Sequence, residues 1–225
     1  MGLEKYIAKR DFTKTKEPKG VKKSSGGKLK FVVQKHAASR LHYDFRLEID
    51  GVMVSWAVPK GLSANPSDKR LAIQTEDHPM GYMNFEGTIP QGEYGGGTVM
   101  VWDIGTYHSE GNEDSSKDNS LLKKQLREGN IKVVLEGSKL KGSWHMVMMN
   151  GEERQWLLMK SKDAYAGEAV SYSQTSILTG RDLDEIAAGD AVWHSTKSVA
   201  ENLKALSKLD LIKKKKDIEA NTKQR

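Results

Sequence analysis

Cysteine is absent from this 225-residue sequence. Its absence excludes disulfides, thiolate metal ligands and cysteine nucleophiles together, and it is typical of a reducing compartment. No segment approaches the roughly 20 consecutive apolar residues that a membrane span requires, and the first residues lack the apolar run of a signal peptide. The glycine triplet at 95–97 lacks the spacing of a phosphate-binding loop, so we expect a bulge or tight corner there. The expectation is a soluble, cytoplasmic protein without a membrane partner.

The chain is moderately basic. Lysine and arginine number 36 against 30 aspartates and glutamates, which gives a formal net charge of +6. This balance suits a polyanionic partner such as nucleic acid without establishing one. Many basic residues lie in the stretches 14–30 and 204–223, where they could belong to flexible arms. A hydrophobic content of 37% suffices for one core, so the sequence predicts a single domain with tails.

Three regions follow from composition and periodicity. Residues 1–30 are rich in lysine and turn signals, and composition alone favours an exposed, basic, flexible arm. Residues 31–165 hold many short alternating segments separated by turn signals such as Asp50-Gly51. This pattern predicts a mainly β fold, a small antiparallel β-barrel with short helices. Residues 166–225 predict a polar, basic, partly helical tail.

Helix signals are few. Ser120 is expected to cap a helix over Leu121 to Glu128, which Gly129 ends. A capping box from Asp182 to Glu185 predicts a second short helix, stopped by Gly189. Four apolar residues of the tail recur at helical spacing and predict an amphipathic stripe: Val199, Leu203, Leu206 and Ile212.

The segment richest in reactive side chains runs from Gln34 to Glu48. From Leu41 onward apolar and polar residues alternate, and a strand sends successive side chains to opposite faces. One face is an ordinary core stripe: Tyr43, Phe45, Leu47 and Ile49. The other gathers an imidazole, a guanidinium and carboxylates: His42, Asp44, Arg46 and Glu48.

Histidines in polar contexts near strand ends point to a metal site. His36, His42 and His78, with Asp44, supply enough nitrogen and oxygen donors for a divalent transition metal such as manganese or zinc. His42 and Asp44 followed by His78 also have the form of the facial triad in non-haem iron oxygenases, which use antiparallel barrels too. The two interpretations assign different roles to His42.

Two nearby arginines favour phosphate chemistry. Arg46 and Arg70 could supply forked donors to an oxyanion. A divalent metal polarises a phosphoryl oxygen and makes water nucleophilic near neutral pH, so metal and arginines together are the minimum apparatus for phosphoester hydrolysis. An oxygenase has no obvious use for the arginines unless its substrate is an acid. The residues alone therefore favour phosphoester hydrolysis.

Four motifs carry a specific resemblance: Phe31–Glu48, Trp56–Gly61, Glu76–Pro79 and Ile89–Gly97. Over roughly residues 6–180 the chain resembles the 3′-phosphoesterase domain of the bacterial multifunctional repair ligase known as ligase D. The resemblance implies a β-barrel enzyme that prefers manganese, with zinc or cobalt as alternatives at the same site. Such nucleases heal 3′ ends at primer-template junctions in double-strand-break repair by non-homologous end joining. A phosphodiesterase step turns a terminal ribonucleotide into a 3′-phosphate, and a phosphomonoesterase step then leaves a 3′-hydroxyl.

The resemblance also implies roles for individual residues. The implied metal ligands are His36, Asp44 and His78. The implied contacts to the scissile phosphate are His42, Arg46, Arg70 and Tyr82, and His42 is also a candidate general acid for the leaving group. Gln34 and Glu76 match positions that orient the ligands.

Positions outside the barrel are implied as well. Arg10, Asp11 and Glu17 match residues that the family requires, so the arm is expected to fold over the site when substrate is bound. Lys60 is a weaker candidate for a contact to the nucleic acid backbone.

The implied partners are DNA or RNA-tipped DNA 3′ ends, and a separate ligase, polymerase or end-binding protein. The expected protein is a nucleoid-associated monomer. The sequence has no lysine motif of a nucleotidyl transferase and no room for a polymerase or ligase domain, so a free-standing enzyme and a piece of a longer protein both stay open. A different class of function is a non-catalytic nucleic-acid-binding module that recruits a ligase or polymerase. The intact set of histidine, aspartate and arginine argues against that alternative.

Overall fold

The computed structural model describes residues 2–112, 114–167 and 172–189. Within these ranges the strands are β1 (Leu29–Ala37), β2 (Leu41–Ile49), β3 (Val52–Val58), β4 (Arg70–Gln74), β5 (Gly87–Ile89), β6 (Gly97–Ser109), β7 (Asn130–Gly137), β8 (Lys141–Met148) and β9 (Gln155–Lys160). The helices are α1 (Glu4–Ala8), α2 (Asp118–Glu128) and α3 (Leu183–Ala188), with 3₁₀ helices at Met80–Asn84 and Ser115–Lys117.

The strands form a closed antiparallel barrel, as the sequence predicts. The order around the wall is β1, β2, β3, β4, β9, β8, β7 and β6, and β6 pairs with β1 to complete the ring of eight. The short strand β5 pairs with the first residues of β6. Closure leaves the eight wall strands without a free edge, so their backbone groups are paired inside the wall.

Turn chemistry sets the β2–β3 hairpin and the corner that opens β6. Asp50 and Gly51 both have positive φ, 56° and 75°, which is the type I′ geometry predicted for this pair. Gly97 has φ 142°, and a Cβ there would overlap the carbonyl oxygen of Ala37. The third glycine of the triplet therefore marks the expected tight corner, where backbone approaches backbone.

The barrel interior is filled by large apolar side chains. Phe45, Trp56, Trp144 and Trp156 are almost fully buried in one continuous core. Met146 of β8 is also fully buried in this core. Alternating inward residues from all around the wall thus supply the main hydrophobic stabilisation.

A second layer covers the outer side of β1, β2, β3 and β6. The 3₁₀ helix Met80–Asn84 and the segment 176–178 pack on Val32, Met53 and Val101, which point outward from the wall. Because this side is covered, polar residues on it are withdrawn from water although they lie outside the barrel.

The N-terminal arm forms part of this cover. Composition alone favours an exposed tail, but Tyr6 is fully buried against Tyr82 and Phe85, and its hydroxyl donates to the Pro18 carbonyl oxygen at 2.7 Å. Residues 21–28 are exposed, as composition suggests. The structure therefore corrects the expectation for the first part of the arm, which α1 anchors to the barrel.

The helices match their signals in part. The capping box before α3 is present, with Glu185 N donating to Asp182 Oδ1 at 2.8 Å. Gly129 ends α2 in the left-handed conformation, as predicted, but α2 begins at Asp118 and Ser120 is not its cap. The tail stripe from Val199 to Ile212 lies outside the described residues. Of the helices in the described ranges, none has the length and apolar character needed to cross a membrane.

Candidate active site

The site is built on the outer face of the β1–β2 hairpin. His36 lies opposite His42, and Gln34 lies opposite Asp44. Side chains that are directly opposed in an antiparallel pair point to the same face, so these four groups share one surface. The alternation of β2 adds Arg46 to it, as the sequence predicts.

Three potential metal ligands meet near the tip of the hairpin. One donor atom from each of His36, His42 and Asp44 lies within 4.8 Å of the other two. Nδ1 of His36 is 3.6 Å from Asp44 Oδ2, and Nε2 of His42 is 3.7 Å from Asp44 Oδ1. Two imidazoles and a carboxylate are a donor set that suits divalent transition metals.

Two further observations fit a metal at this cluster. Nδ1 of His42 lies 2.9 Å from the Arg40 carbonyl oxygen, and metal-binding histidines commonly donate their second ring nitrogen to such a group. Burial would raise the pKa of Asp44, but the Arg46 guanidinium, helped by His36 and His42, lowers that pKa to about 2. The carboxylate is therefore ionised and available as a ligand at physiological pH.

Arg46 connects the cluster to the rest of the site. Its Nη2 donates to Asp44 Oδ2 at 2.9 Å, its Nε to Gln34 Oε1 at 2.8 Å and its Nη1 to Ser55 Oγ at 2.8 Å. The side chain is only 3% exposed. A guanidinium held by this many partners presents its charge in a fixed direction.

Gln34 and Tyr82 form the back of the site. The amide nitrogen of Gln34 donates to the carbonyl oxygens of Tyr82 and Phe85, at 3.0 and 2.9 Å. This ties the 3₁₀ helix Met80–Asn84 to β1. Burial raises the pKa of Tyr82 well above its usual range, so its phenol stays protonated and can donate a hydrogen bond.

His78 lies between two guanidinium groups. Its Nδ1 is 2.9 Å from the Glu76 carbonyl oxygen and 2.9 Å from Arg46 Nη1, and its Nε2 is 3.2 Å from Arg10 Nη2. A proton on Nδ1 donates to the carbonyl and leaves Nε2 to accept from Arg10, whereas a proton on Nε2 leaves Nδ1 to accept from Arg46. Burial lowers the pKa of His78 well below its usual range, and the two arginines add to this effect. The ring is therefore neutral.

The arm contributes an arginine to the same place. Arg10 Nε donates to Glu17 Oε1 at 2.8 Å, and its Nη1 donates to Glu76 Oε1 at 3.2 Å. The guanidinium carbon lies 3.8 Å from the centre of the Tyr6 ring. All three ionic side chains are at most 4% exposed. Buried charges of this kind are stable only when paired, so the arm is tied to the site by matched charges.

These groups surround a cavity of about 150 Å³. Its walls bring together most of the residues that the sequence singled out and some that it did not: Arg10, His36, His42, Asp44, Arg46, Glu76, His78, Tyr82 and Tyr94. Gln34 and Glu17 lie behind them and hold Arg46 and Arg10.

Besides Gln34 and Glu17, three more of the expected residues do not line this cavity. Arg70 pairs with Asp68 at 2.7 Å and has the side-chain direction of Ala72, which faces the barrel core. Asp11 accepts hydrogen bonds from the backbone and hydroxyl of Thr13 and is exposed. Lys60 is exposed at the end of β3.

Sequence reasoning missed two residues at the mouth of the cavity. Tyr94 lies in its wall, and the Tyr94 hydroxyl accepts from Lys9 Nζ at 2.9 Å. Tyr94 sits inside the motif Ile89–Gly97, and Lys9 adjoins Arg10. Proximity in sequence to the motif and to Arg10 could have pointed to these two residues. Only the packing of the arm brings them into contact.

The sequence of this chain is similar to those of known proteins. A family model described as the DNA ligase D 3′-phosphoesterase domain matches residues 34–148. The chain is 49% identical over 183 residues to the multifunctional non-homologous end joining protein LigD of Pseudomonas aeruginosa, a match that covers 80% of this chain and 20% of that protein.

Two mycobacterial relatives are similar. The chain is 45% identical over 162 residues to the multifunctional non-homologous end joining DNA repair protein LigD of Mycobacterium tuberculosis, covering 72% of this chain and 20% of that protein. It is 44% identical over 167 residues to the LigD of Mycolicibacterium smegmatis, covering 72% and 21%. The chain thus spans about a fifth of the length of the curated relatives that it matches.

Proposed function

This chain belongs to the DNA ligase D 3′-phosphoesterase domain family, and on that premise we propose that it is a metal-dependent phosphoesterase that heals 3′ ends of DNA. The observation that carries the proposal is the meeting of a two-histidine, one-carboxylate cluster with two buried guanidinium groups in one cavity. Metal ligands and fixed cations side by side are what phosphoester hydrolysis requires.

We assign the metal to His36, His42 and Asp44. The donor set and the contact between His42 and the Arg40 carbonyl support this assignment. It differs from the set expected from the resemblance, in which His78 took the place of His42. Manganese is the proposed ion, and zinc or cobalt could occupy the same donors. When bound, such an ion polarises a phosphoryl oxygen and lowers the pKa of a coordinated water.

The phosphate is assigned to the neighbouring side chains. Arg46 and Arg10 would donate to its non-bridging oxygens, and Tyr82 would add a neutral donor. His78, neutral and next to both guanidinium groups, would accept a hydrogen bond from one of them and help to keep it in position. Arg70, Asp11 and Lys60 do not line the cavity. Their roles are therefore proposed from the resemblance alone.

Two hydrolyses are proposed in sequence. Water first adds to phosphorus, and the bond from phosphorus to the 5′ oxygen of the terminal ribonucleoside breaks, which leaves a 3′-phosphate on the primer. A second water then releases inorganic phosphate and leaves a 3′-hydroxyl. In both steps the arginines stabilise the charge that develops on the phosphoryl oxygens.

The larger setting is also a proposal. The relatives are named as non-homologous end joining proteins, so we propose that this chain acts on DNA or RNA-tipped DNA ends in break repair. A ligase, a polymerase or an end-binding protein would act on the same ends. We propose residues 1–30 as an arm that contributes to the site, residues 31–165 as the catalytic barrel and residues 166–225 as a tail, in a monomer.

The catalytic test uses a labelled primer-template that ends in one 3′ ribonucleotide. With Mn²⁺ the primer should shorten to a 3′-phosphate and then to a 3′-hydroxyl, and a chelator should stop both steps. Parallel reactions with Mg²⁺, Zn²⁺ and Co²⁺ compare the metals. Bound but unchanged primer with every metal would sink the catalytic proposal and favour the recruiting module.

The ligand assignment is tested separately by calorimetric titration with Mn²⁺. His42→Ala should lose both Mn²⁺ binding and turnover, whereas His78→Ala should lose turnover and keep Mn²⁺ binding within about tenfold, as for a residue outside the coordination sphere. The opposite pattern would restore the ligand set implied by the resemblance. Since an iron oxygenase would also use His42, oxygen consumption with Fe²⁺ is measured alongside, and none is expected.

A further inference from the structure

Tyr94 is an exposed aromatic side chain in the wall of the active-site cavity. It is 47% exposed, whereas Tyr82 in the same cavity is 2% exposed. An exposed aromatic ring in the wall of a cavity offers an apolar face on which a planar group of a bound ligand can stack.

The ring of Tyr94 is held in place by its hydroxyl. That hydroxyl accepts from Lys9 Nζ at 2.9 Å and donates to Glu76 Oε2 at 3.2 Å. Gly95 follows with φ 78°, and the turn closes with Gly96 N donating to the Glu93 carbonyl oxygen at 3.0 Å. Because both ends of the residue are fixed, the ring is presented at the mouth of the cavity without needing to be ordered by a ligand.

A groove adjoins the cavity at Gly95, the residue that follows Tyr94. It measures about 560 Å³, lies between the tip of the β1–β2 hairpin and the loop 88–97, and shares Ala38, Ile89 and Gly95 with the cavity. Its only charged lining residue among those described is Glu93, whose carboxylate pairs with Lys14 at 3.3 Å. A groove without a free cation does not select a phosphate, but it has the size to accept a neutral sugar and base.

We propose that Tyr94 stacks on the base of the 3′-terminal nucleoside and that this groove receives the nucleoside as it leaves. The inference rests on the proposed function and extends it to the leaving group. In the first hydrolysis the bond between phosphorus and the 5′ oxygen breaks, and the stacked nucleoside departs with that oxygen protonated. The second hydrolysis acts on a 3′-phosphate, which carries no base beyond the phosphorus. Tyr94 therefore serves the first step only.

The experiment compares two substrates in Mn²⁺: a primer ending in a 3′ ribonucleotide and the same primer ending in a 3′-phosphate. Base stacking on an aromatic ring is worth about 1–3 kcal/mol, or roughly 5- to 150-fold in kcat/KM. Tyr94→Ala should show that loss on the ribonucleotide end, whichever base it carries, and should lose less than about threefold on the 3′-phosphate. Tyr165→Ala, which removes an exposed tyrosine outside the cavity, is the matched control for both substrates.

Two further measurements distinguish base stacking by the Tyr94 ring from a role of its hydroxyl in positioning Glu76 and Lys9. Tyr94→Phe keeps the ring and loses the hydroxyl, so it should retain most of the activity that Tyr94→Ala loses. The unmodified protein should cut a primer ending in a ribose without a base more slowly than one ending in a complete ribonucleotide. On the primer without the base, Tyr94→Ala should cut as fast as the unmodified protein. Equal losses on both substrates, or a Tyr94→Phe variant as impaired as Tyr94→Ala, would overturn the proposal. If the unmodified protein cuts neither substrate, the proposed function itself fails.

Discussion

The two faces of β2 are equally buried and chemically opposite. On the inner face Phe45 and Leu47 are fully buried among apolar side chains of the barrel. On the outer face Arg46 and Glu48 are 3% and 0% exposed, yet both are charged. Burial alone therefore does not identify a core, because a second layer of chain can withdraw a polar surface from water as fully as a barrel does.

The two faces also differ in what holds them together. Apolar contacts inside the barrel are non-directional and tolerate replacements of similar volume. On the outer face the contacts are directional hydrogen bonds: Arg46 donates to Gln34, Ser55 and Asp44, and Glu48 accepts from the backbone of Ser25. A buried polar network loses much more when one member is removed. The outer face should consequently be less tolerant of conservative changes than the inner face.

The largest expected effect is on the inner face. Phe45→Ala should lower the free energy of unfolding by about 3–5 kcal/mol, since it leaves a cavity in a packed interior. Urea denaturation measures the loss, and Phe45→Leu is the volume-conserving control. The activity per folded molecule should stay near that of the unmodified protein. A Phe45→Ala variant of normal stability would show that the interior is not the main source of stability.

The next effect concerns the cover of the outer face. Arg181 Nη2 donates to Glu86 Oε1 at 3.1 Å, and the Glu86 side chain has no exposed surface. Arg181→Met should cost about 3 kcal/mol, because it leaves a buried carboxylate without its cation. Adding Glu86→Gln should recover most of that loss. If Arg181→Met unfolds like the unmodified protein, the segment 176–181 is not an integral part of the cover.

The third effect concerns Asp44, a proposed metal ligand on the outer face. Asp44→Asn should lower kcat/KM by more than about 100-fold, or about 2.7 kcal/mol, because even residues that only support metal ligands cost 10- to 100-fold. Mn²⁺ should raise the melting temperature of the unmodified protein and not that of the variant. Glu48→Gln changes a carboxylate on the same face of the same strand and should keep its activity within about threefold. Equal losses in the two variants would mean that the whole face, rather than the cluster, matters.

The smallest effect on stability is expected for an exposed ion pair at the β2–β3 turn. Lys22 Nζ pairs with Asp50 Oδ2 at 2.6 Å, with the two side chains 49% and 27% exposed. Lys22→Ala should cost less than about 1 kcal/mol and less still in high salt. The Lys22 hydrogen bond, followed by that of Lys123, lowers the pKa of Asp50. The contribution of this pair is therefore present above the ordinary aspartate pKa and should vanish as the pH falls through the lowered one. A larger, salt-independent loss would contradict this view of the pair.

Much of the barrel could be predicted from local pattern. Alternation over residues 41–49 identifies β2 and both of its faces, and Asp50-Gly51 identifies the hairpin because few other pairs adopt two positive φ angles. The predicted start of α2 at Leu121 differs from the observed start at Asp118, because α2 continues directly from the 3₁₀ turn Ser115–Lys117, which Asp114 caps. Composition does not predict the burial of the arm, which only the resemblance implied, because that burial depends on partners such as Tyr82 far along the chain.

For the site, the sequence identified the residue types and their common face but not every neighbour. His42 and Asp44 are related by the period of one strand, so their proximity follows from local geometry. His78 and Arg70 reach the barrel through separate connections, and their distances to that pair depend on how the loops pack. His78 is placed against Arg10 and Arg46, and Arg70 against Asp68.

By itself the sequence determined the β-barrel, the outward row of His42, Asp44 and Arg46, and the family, because these depend on short-range periodicity, turn chemistry and a long series of motifs. Only the tertiary structure decided which histidine joins His36 and Asp44, that Arg10 enters the cavity from the arm, and that Tyr94 stands at its mouth. Those relations join residues that are distant in sequence. They are set by the packing of the second layer on the barrel, which no local pattern encodes.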